Sequence, residues 1–213
     1  MAEQPDDTSP LLQRALAGDE SALAALFDGY RERLRRMIRL RLDRRLSGRV
    51  DSSDVLQEAY LDVRKRIAEY ARDPAAMPFH LWLRLIAGQK LTDVHRSHLG
   101  TQMRDAGQEV SLHRGPFPQA SSVALAAQLL GKFTSASKAA IRAEHKLIVQ
   151  EALNGMDPID REVLTLRHFE HLSNDETALV LSLSKSAASN RYIRALKRLK
   201  EILSSIPGLK EQL

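Results

Sequence analysis

The chemistry most legible in this chain lies between Lys185 and Ile202, where cations and short polar side chains recur with a helical period. Lys185, Arg191, Arg194, Lys197, Arg198 and Lys200 carry positive charge, while Ser186, Ser189 and Asn190 are short hydrogen-bonding residues. Cations neutralise phosphates and supply affinity with little sequence information; short polar groups on a helix can reach base edges. The competing reading is an amphipathic helix with a solvated charged face. The preceding residues favour the first. Ser173-Asn-Asp-Glu176 has the form of a capping box, and Ser182-Leu183-Ser184 forms a tight turn with a second capping serine. A short helix, a three- to four-residue turn and a basic second helix make a helix-turn-helix, which can enter a major groove.

Groups suited to catalysis are sparse. His95/His98 and His168/His171 have a spacing that could hold a metal, but no carboxylate completes either pair at a familiar interval. No phosphate-cradling glycine loop, nucleophile elbow or cluster of metal-nuclease carboxylates is present. No enzymatic activity, metal or cofactor is expected. A different kind of surface begins at Asp51. Asp51, Asp54, Glu58 and Asp62 fall on one side of a helix whose other side carries Leu56, Tyr60, Val63 and Ile67. Such an acidic stripe suits either internal charge pairing or docking of a basic helix from another protein.

The elements that must position these groups are helical throughout. Ser9-Pro10 starts a short helix ending at Gly18, and Asp19-Glu-Ser21 starts a longer one with Leu23, Leu26, Tyr30, Leu34, Met37 or Ile38, and Leu42 at three- and four-residue steps. Its outer face is expected to carry Arg31, Arg33, Arg35, Arg36, Arg39, Arg41, Arg44 and Arg45, a one-signed surface suited to a polyanion or an acidic protein. Ser47-Gly48 interrupts, and Asp51-Ser-Ser-Asp54 caps the next helix. Residues 72–78 form a loop, and the helix after it holds Phe79, Trp82, Leu83, Ile86 and Leu91, with Trp82 in the core period. Tyr70 and Phe79 bracket the loop beside Arg66 and Arg84, a combination able to hold unstacked bases.

Between about residues 99 and 138 the composition turns to Gly, Pro, Ser, Gln and Ala, with one short helix at VALAAQLLG; the stretch reads as a flexible linker. Helical pattern resumes near Ala139 and stops at Asn154-Gly155. Asp157-Pro158 then caps a helix with Val163, Leu164 and Leu166, and Ala178, Leu179 and Leu181 are expected to bury the short helix after it. Along the last helix Ala188, Tyr192 or Ile193, Ala195, Leu199 and Ile202 are expected to face inward.

A chain of 213 residues holds one domain or two small ones, and 43% hydrophobic with 5% aromatic residues suits modest helical cores. The +5 net charge is mild, so its distribution carries the argument. No cysteine provides a disulfide or a thiolate site, residues 1–8 are polar, no secretory leader is recognised, and no apolar run reaches spanning length. The expected fold is all-α: two small helical domains, 10–98 and 139–205, joined by the linker 99–138, in a soluble cytoplasmic protein.

Taken in order, LLQRALAGDESALAALFDGY, DSSDVLQEAYLDV, FHLWLRLIAGQKLTDVHR and MDPIDREVLTLRHFEHLSNDETALVLSLSKSAASNRYIRALKRLK resemble the bacterial RNA polymerase sigma factors of the sigma-70 family, extracytoplasmic-function group. The resemblance spans nearly all of 11–203. It implies that Asp54, Gln57, Glu58 and Leu61 grip the clamp helices of the largest polymerase subunit. It also implies that the segment from Tyr70 to Arg96 recognises and melts a minus-ten element, with Arg66, Tyr70, Phe79, Gln89 and Arg96 contacting DNA and a flipped non-template base held near Tyr70, Phe79 and Gln89. In the last helix, Lys185, Ser186, Ser189, Asn190, Arg191, Arg194 and Lys197 are implied to meet a minus-thirty-five element, and the linker to thread the RNA-exit path. Asparagine is usual where Gln89 stands, and a basic residue where Ser189 stands. The implied partners are core RNA polymerase and promoter DNA, with an anti-sigma factor as a further one and no membrane insertion. The alternative is a stand-alone helix-turn-helix regulator with an unrelated helical sensor module.

Overall fold

A computed structural model of the chain describes residues 10–46, 48–99, 118–131 and 139–204. The polar tail 1–8, the Ser9 cap and most of the expected linker lie outside them. Nine α-helices and no strand occur among the described residues, in two compact units that divide between Pro118 and Gln119.

The N-terminal unit consists of α1 (Pro10–Leu16), α2 (Glu20–Arg41), α3 (Ser52–Tyr70) and α4 (Phe79–Leu99). Local chemistry sets the boundaries. Gly18 turns the chain in the left-handed region at φ 95°, which a Cβ would strain, and the Asp19 carboxylate then accepts from Ser21 N–H and Ala22 N–H at 2.9 and 3.0 Å to cap α2. Asp51 and Asp54 cap α3 reciprocally: Asp51 accepts from Ser53 N–H and Asp54 N–H, and Asp54 accepts from Asp51 N–H at 2.8 Å. The buried apolar residues of α2, Leu23, Leu26, Phe27, Tyr30, Leu34 and Ile38, meet Val55, Leu56, Ala59 and Val63 of α3 and Leu83, Ile86, Ala87 and Leu91 of α4 in one core. An aromatic cluster closes one end. Tyr70 lies 4.9 Å from Trp82 and 5.3 Å from Phe79, and Phe79 lies 6.2 Å from Tyr30, ring centroid to ring centroid.

The arginine-rich face of α2 differs from its expectation. Arg41 is buried, not outward. Arg31, Arg35 and Arg45 pair with Asp28, Glu32 and Asp43 at 2.7, 2.6 and 2.8 Å, so the surface mixes signs over short range. The argument from one-signed charge to a polyanionic partner therefore fails here.

His95 closes the unit at the far end of α2. Its Nε2 accepts a hydrogen bond from Asp43 N–H at 3.2 Å, tying α4 to the turn that follows α2. Burial lowers the imidazole pKa from 6.5; the nearby Asp43 charge opposes this and Arg45 reinforces it. An accepting Nε2 must be unprotonated, which agrees with that direction.

The C-terminal unit begins at Gln119, twenty residues before the start expected from sequence. The helix α5 (Ser122–Gly131) packs on α6 (Ala139–Asn154), burying Leu125, Ala126, Leu129 and Leu130 with Val149 and Leu153, and so belongs to the unit rather than to a tether. Arg161 fastens this arrangement by donating to Gln119 Oε1 at 2.7 Å, and to Ser122 Oγ and Leu153 O at 3.2 Å each. Asp157 caps α7 (Pro158–Leu164), with Pro158 at its first position. A π-helical turn over Thr165–Phe169 and a left-handed His171 at φ 59° then redirect the chain into α8 (Asn174–Leu181) and α9 (Lys185–Ser204).

Two expectations follow from these packings. The folded N-terminal unit holds His95 neutral, so the unfolded chain binds more protons as pH drops below 6.5, and stability present above that value is lost beneath it. Urea unfolding followed by Trp82 fluorescence should show a lower midpoint at about pH 5.5 than at about pH 7.5, and His95→Gln should reduce that difference. In the C-terminal unit, Asp160→Asn should destabilise α7 and α9 by about 1–3 kcal/mol, read as faster amide hydrogen exchange confined to those helices, because it unmakes charged hydrogen bonds to a buried carboxylate.

Candidate nucleic-acid interface

The helix-turn-helix is built from α8, a three-residue turn and α9. Ser173 and Glu176 form the capping box at the start of α8: Ser173 Oγ accepts from Glu176 N–H at 3.2 Å, and the glutamate accepts from Ser173 N–H at 2.6 Å. Ser182 turns the chain at φ 54°, and Ser184 Oγ accepts from Ala187 N–H at 3.1 Å to cap α9. Two further bonds fix the angle between the helices. Asn174 Nδ2 donates to Lys185 O at 2.9 Å, and Lys185 Nζ pairs with Asp175 at 2.6 Å.

The inner face of α9 carries the buried residues Ala188, Ala195, Leu199, Ile202 and Leu203. Its outward centre, at three- and four-residue steps, is Ser186, Asn190, Ile193 and Lys197, all exposed. Asn190 and Lys197 have no side-chain partner among the described residues, so both are available to an incoming ligand. Ser189 is half-buried at the edge of this face.

Arg191 and Arg194 stand apart from the other basic residues. Asp160 of α7 is buried and accepts from Arg194 Nε and Nη2 at 2.5 and 2.9 Å and from Arg191 Nη1 at 2.7 Å; Arg191 also reaches Asp157 at 3.3 Å. Burial pushes the Asp160 pKa up, but the hydrogen bonds from Arg194 and Arg191 outweigh it and hold the carboxyl below its usual range. Both arginines were expected at DNA; in this structure both pair with Asp160 and so help to seat α9 on α7, with the Arg194 side chain still largely exposed. Tyr192 lies under the Arg167 guanidinium, 4.9 Å from cation to ring, whereas Ile193, the other candidate for the inward position, is 61% exposed. Leu179, expected to bury α8, is also exposed; Ala178 and Thr177 are the buried residues.

In the N-terminal unit Asp54, Gln57, Glu58 and Leu61 occur at three- and four-residue steps on the exposed side of α3, and Leu61 is 51% exposed. Gln57 lines an open groove of about 410 Å³ between α2 and α3, together with Ala24, Asp28, Arg31 and Tyr60. The four residues do not carry the same duties. Asp54 is committed to the capping box, Glu58 lies 3.8 Å from Lys90 of α4, and Asp62 pairs with Lys90 at 2.8 Å. The stripe is therefore internally paired at Asp62 and open at Gln57 and Leu61.

Of the residues expected at a minus-ten element, Gln89 and Arg66 come together: Arg66 Nη1 donates to Gln89 Oε1 at 2.7 Å. Arg96 is exposed near the end of α4. Tyr70 and Phe79 are 6% and 1% exposed, and the Tyr70 hydroxyl donates to Met77 O at 3.0 Å. Neither ring offers a face to a base; instead they support the exposed loop 72–76 from beneath. Trp82 is likewise core. Of the histidines, His95 is committed to Asp43 and His168 packs edge-on against Phe169. No group of three His, Asp or Glu residues able to hold a metal occurs among the described residues. Sequence reasoning missed Asp160, Lys90 and Arg161, whose signal lies in long-range pairing rather than local pattern.

The model of sigma-70 region 4 matches residues 146–199, from α6 to α9. The extracytoplasmic-function RNA polymerase sigma factor SigD of Mycobacterium tuberculosis is 27% identical over 94% of this chain and 86% of its own length. The RNA polymerase sigma-H factor of Pseudomonas aeruginosa is 24% identical over 92% of this chain and 93% of its own. Among solved structures, CnrH in complex with the cytosolic domain of CnrY superposes with a TM-score of 0.54 at 22% identity, covering 92% of this chain and 96% of that one, which supports the fold. The region 4 match falls on the helix-turn-helix, and the full-length relatives extend the similarity to RNA polymerase sigma factors, SigD of the extracytoplasmic-function group among them, across both helical units.

Proposed function

We propose that the chain binds core RNA polymerase and directs promoter-specific initiation of transcription, with the N-terminal unit at the minus-ten element and α9 at the minus-thirty-five element. The observation that carries this reading is a helix-turn-helix with an open polar face on α9, in a chain whose full-length relatives are sigma factors. The polymerase performs the chemistry; this chain supplies recognition as a DNA-binding initiation factor. Its place of action is the cytoplasm, where the promoter is, and among the described residues no helix is long and apolar enough to cross a membrane. Control by an anti-sigma partner is part of the proposal and rests on the similarity to sigma factors.

The exposed positions of α3 are the proposed grip on polymerase. Gln57 lines the α2–α3 groove, and Glu58 and Leu61 are exposed on the same helix. A stand-alone regulator has no use for such a surface, which separates the two functional classes.

On α9 the proposed duties divide by position. Ser186 and Asn190 lie in the first turns with short side chains, suited to base edges in a major groove. Lys197 is farther along the same face and suits a phosphate. Arg191 and Arg194 set the orientation of the helix through Asp160.

Glu58→Lys is the variant that tests polymerase binding. Its side chain is exposed and outside the capping box, so the stability change should stay within about 0.5 kcal/mol while co-sedimentation with core polymerase falls at least about tenfold. Asp54→Lys is less clean because it also removes a cap, costing about 1 kcal/mol. Wild-type affinity in a folded Glu58→Lys protein would sink the grip.

Readout is tested by promoter-selection sequencing with holoenzyme. Asn190→Ala should relax one or two minus-thirty-five positions, with a cost of about 1–3 kcal/mol where the contact is bidentate. Lys197→Ala should weaken all promoters alike and reduce the salt dependence by about one phosphate. The reverse pattern would mean that α9 enters the groove the other way round.

A further inference from the structure

Ile193 is an apolar side chain in the place where DNA is proposed to arrive. It is 61% exposed and lies on the outward face of α9, three residues after Asn190 and four before Lys197. Single exposed hydrophobic residues are commonplace on proteins. Ile193 differs in its setting: with Asn190 at a base edge and Lys197 at a phosphate, the side chain between them meets whatever the groove presents at that level. Its position is also closely determined. Arg191 and Arg194 flank it in the chain and donate to Asp160 of α7 at 2.7 and 2.9 Å, which fixes the rotation of α9. As a β-branched residue in a helix, Ile193 is held to one main χ1 rotamer, so it has little side-chain freedom left to lose on contact.

An isoleucine side chain neither donates nor accepts a hydrogen bond. Set against the amino group of cytosine or adenine, or the acceptors of guanine, it strips water from a polar edge and returns no bond. Thymine differs, because beside its O4 acceptor it carries the C5-methyl group, the apolar contact of the major groove. Uracil lacks that methyl group, and a cytosine methylated at C5 places it at the same point of the groove. The apolar spot on α9 is also small. Ser186, Asn190, Lys197 and Lys200 around it are exposed and polar or cationic, and Leu196 on its flank is only 36% exposed. A spot of that size suits a methyl group rather than the broad apolar face of a docking helix.

We propose that Ile193 reads the C5-methyl group of one pyrimidine in the minus-thirty-five element, so that α9 distinguishes thymine from uracil and 5-methylcytosine from cytosine at that position. Cytosine methylation there then strengthens a promoter used by this chain. The inference rests on the proposed placement of α9 at the minus-thirty-five element and adds to it a contact that involves no hydrogen bond.

The test is binding of a selected promoter by holoenzyme, core RNA polymerase carrying the full chain. Thymines of the minus-thirty-five element are replaced one at a time by uracil, and cytosine and 5-methylcytosine are then installed in turn at the responsive position. One thymine should lose about three- to fivefold in affinity on becoming uracil, the effect of one buried methyl group. At the same position 5-methylcytosine should exceed cytosine by a similar factor, which separates a promoter's own thymine from an added methyl mark. Ile193→Ala should bring both ratios to within about 1.5-fold of unity, while Ile193→Val, one methylene shorter, should retain most of each. The urea midpoint of Ile193→Ala, followed by circular dichroism, should match the wild type, because the side chain is exposed. Ratios that persist in Ile193→Ala would place the methyl contact on another residue and overturn the proposal. So would base changes in the element that alter binding while no methyl group does. Loss of core-polymerase binding in Ile193→Ala, with both ratios unchanged, would assign the side chain to a protein partner instead. If no base change in the minus-thirty-five element altered binding, the placement of α9 would itself fail, a result distinct from the absence of the methyl contact alone.

Discussion

The seating of α9 depends on one buried carboxylate. Asp160 enters from the first turn of α7 and is held by three hydrogen bonds from two arginines one turn apart on α9. Truncating one side of such an arrangement leaves charge without its partner in a poorly hydrated place, which is far costlier than losing an exposed ion pair. The apolar contacts of Ala188, Ala195, Leu199 and Ile202 hold α9 against the unit but tolerate sliding; the directional Arg–Asp bonds fix its register. The outward face is then determined. With Arg191 and Arg194 drawn towards α7, the exposed centre of α9 is left to short polar groups, Ile193 and Lys197.

The N-terminal unit solves a comparable problem with different chemistry. Its exposed working surfaces sit on a core that closes on aromatic rings at one end and on the His95–Asp43 bond at the other. Lys90 draws Asp62, and more loosely Glu58, against α4, so α3 cannot rotate without unmaking an ion pair as well as its apolar contacts. This leaves Gln57 and Leu61 open on one side of the helix and Arg66 engaged with Gln89 on another. Buried Tyr70 and Phe79 fit the same logic. A loop meant to meet a partner needs a firm base, and two edge-packed rings with a hydroxyl tied to Met77 O provide it.

Features written in local pattern were legible from the sequence. The caps at Asp19, Asp51/Asp54, Asp157 and Ser173/Glu176 formed as expected, since each depends on residues two or three apart. The helix-turn-helix and its serine turn were legible for the same reason. Less legible was anything decided by partners distant along the chain. Asp160 is by local pattern only an acidic residue in the first turn of α7, while its two donors lie more than thirty residues away. The short helix α5 read as part of a linker because its environment in sequence is Gly/Pro/Ser-rich; only the surfaces of α6 and Arg161 reveal where it belongs. Ile193 and Leu179 show the converse limit, since hydrophobic side chains in a helical period need not face inward.

The central claim is that this chain gives promoter specificity to a polymerase rather than binding DNA on its own account. The most direct measurement is in vitro transcription from fragmented genomic DNA with core RNA polymerase, with and without the purified chain, followed by mapping of the RNA 5′ ends. The account predicts a discrete set of starts that require the chain, each preceded by shared minus-ten and minus-thirty-five elements. Sequence-specific DNA binding by the chain in the absence of polymerase, together with an unchanged set of starts when it is added to the core enzyme, would contradict it.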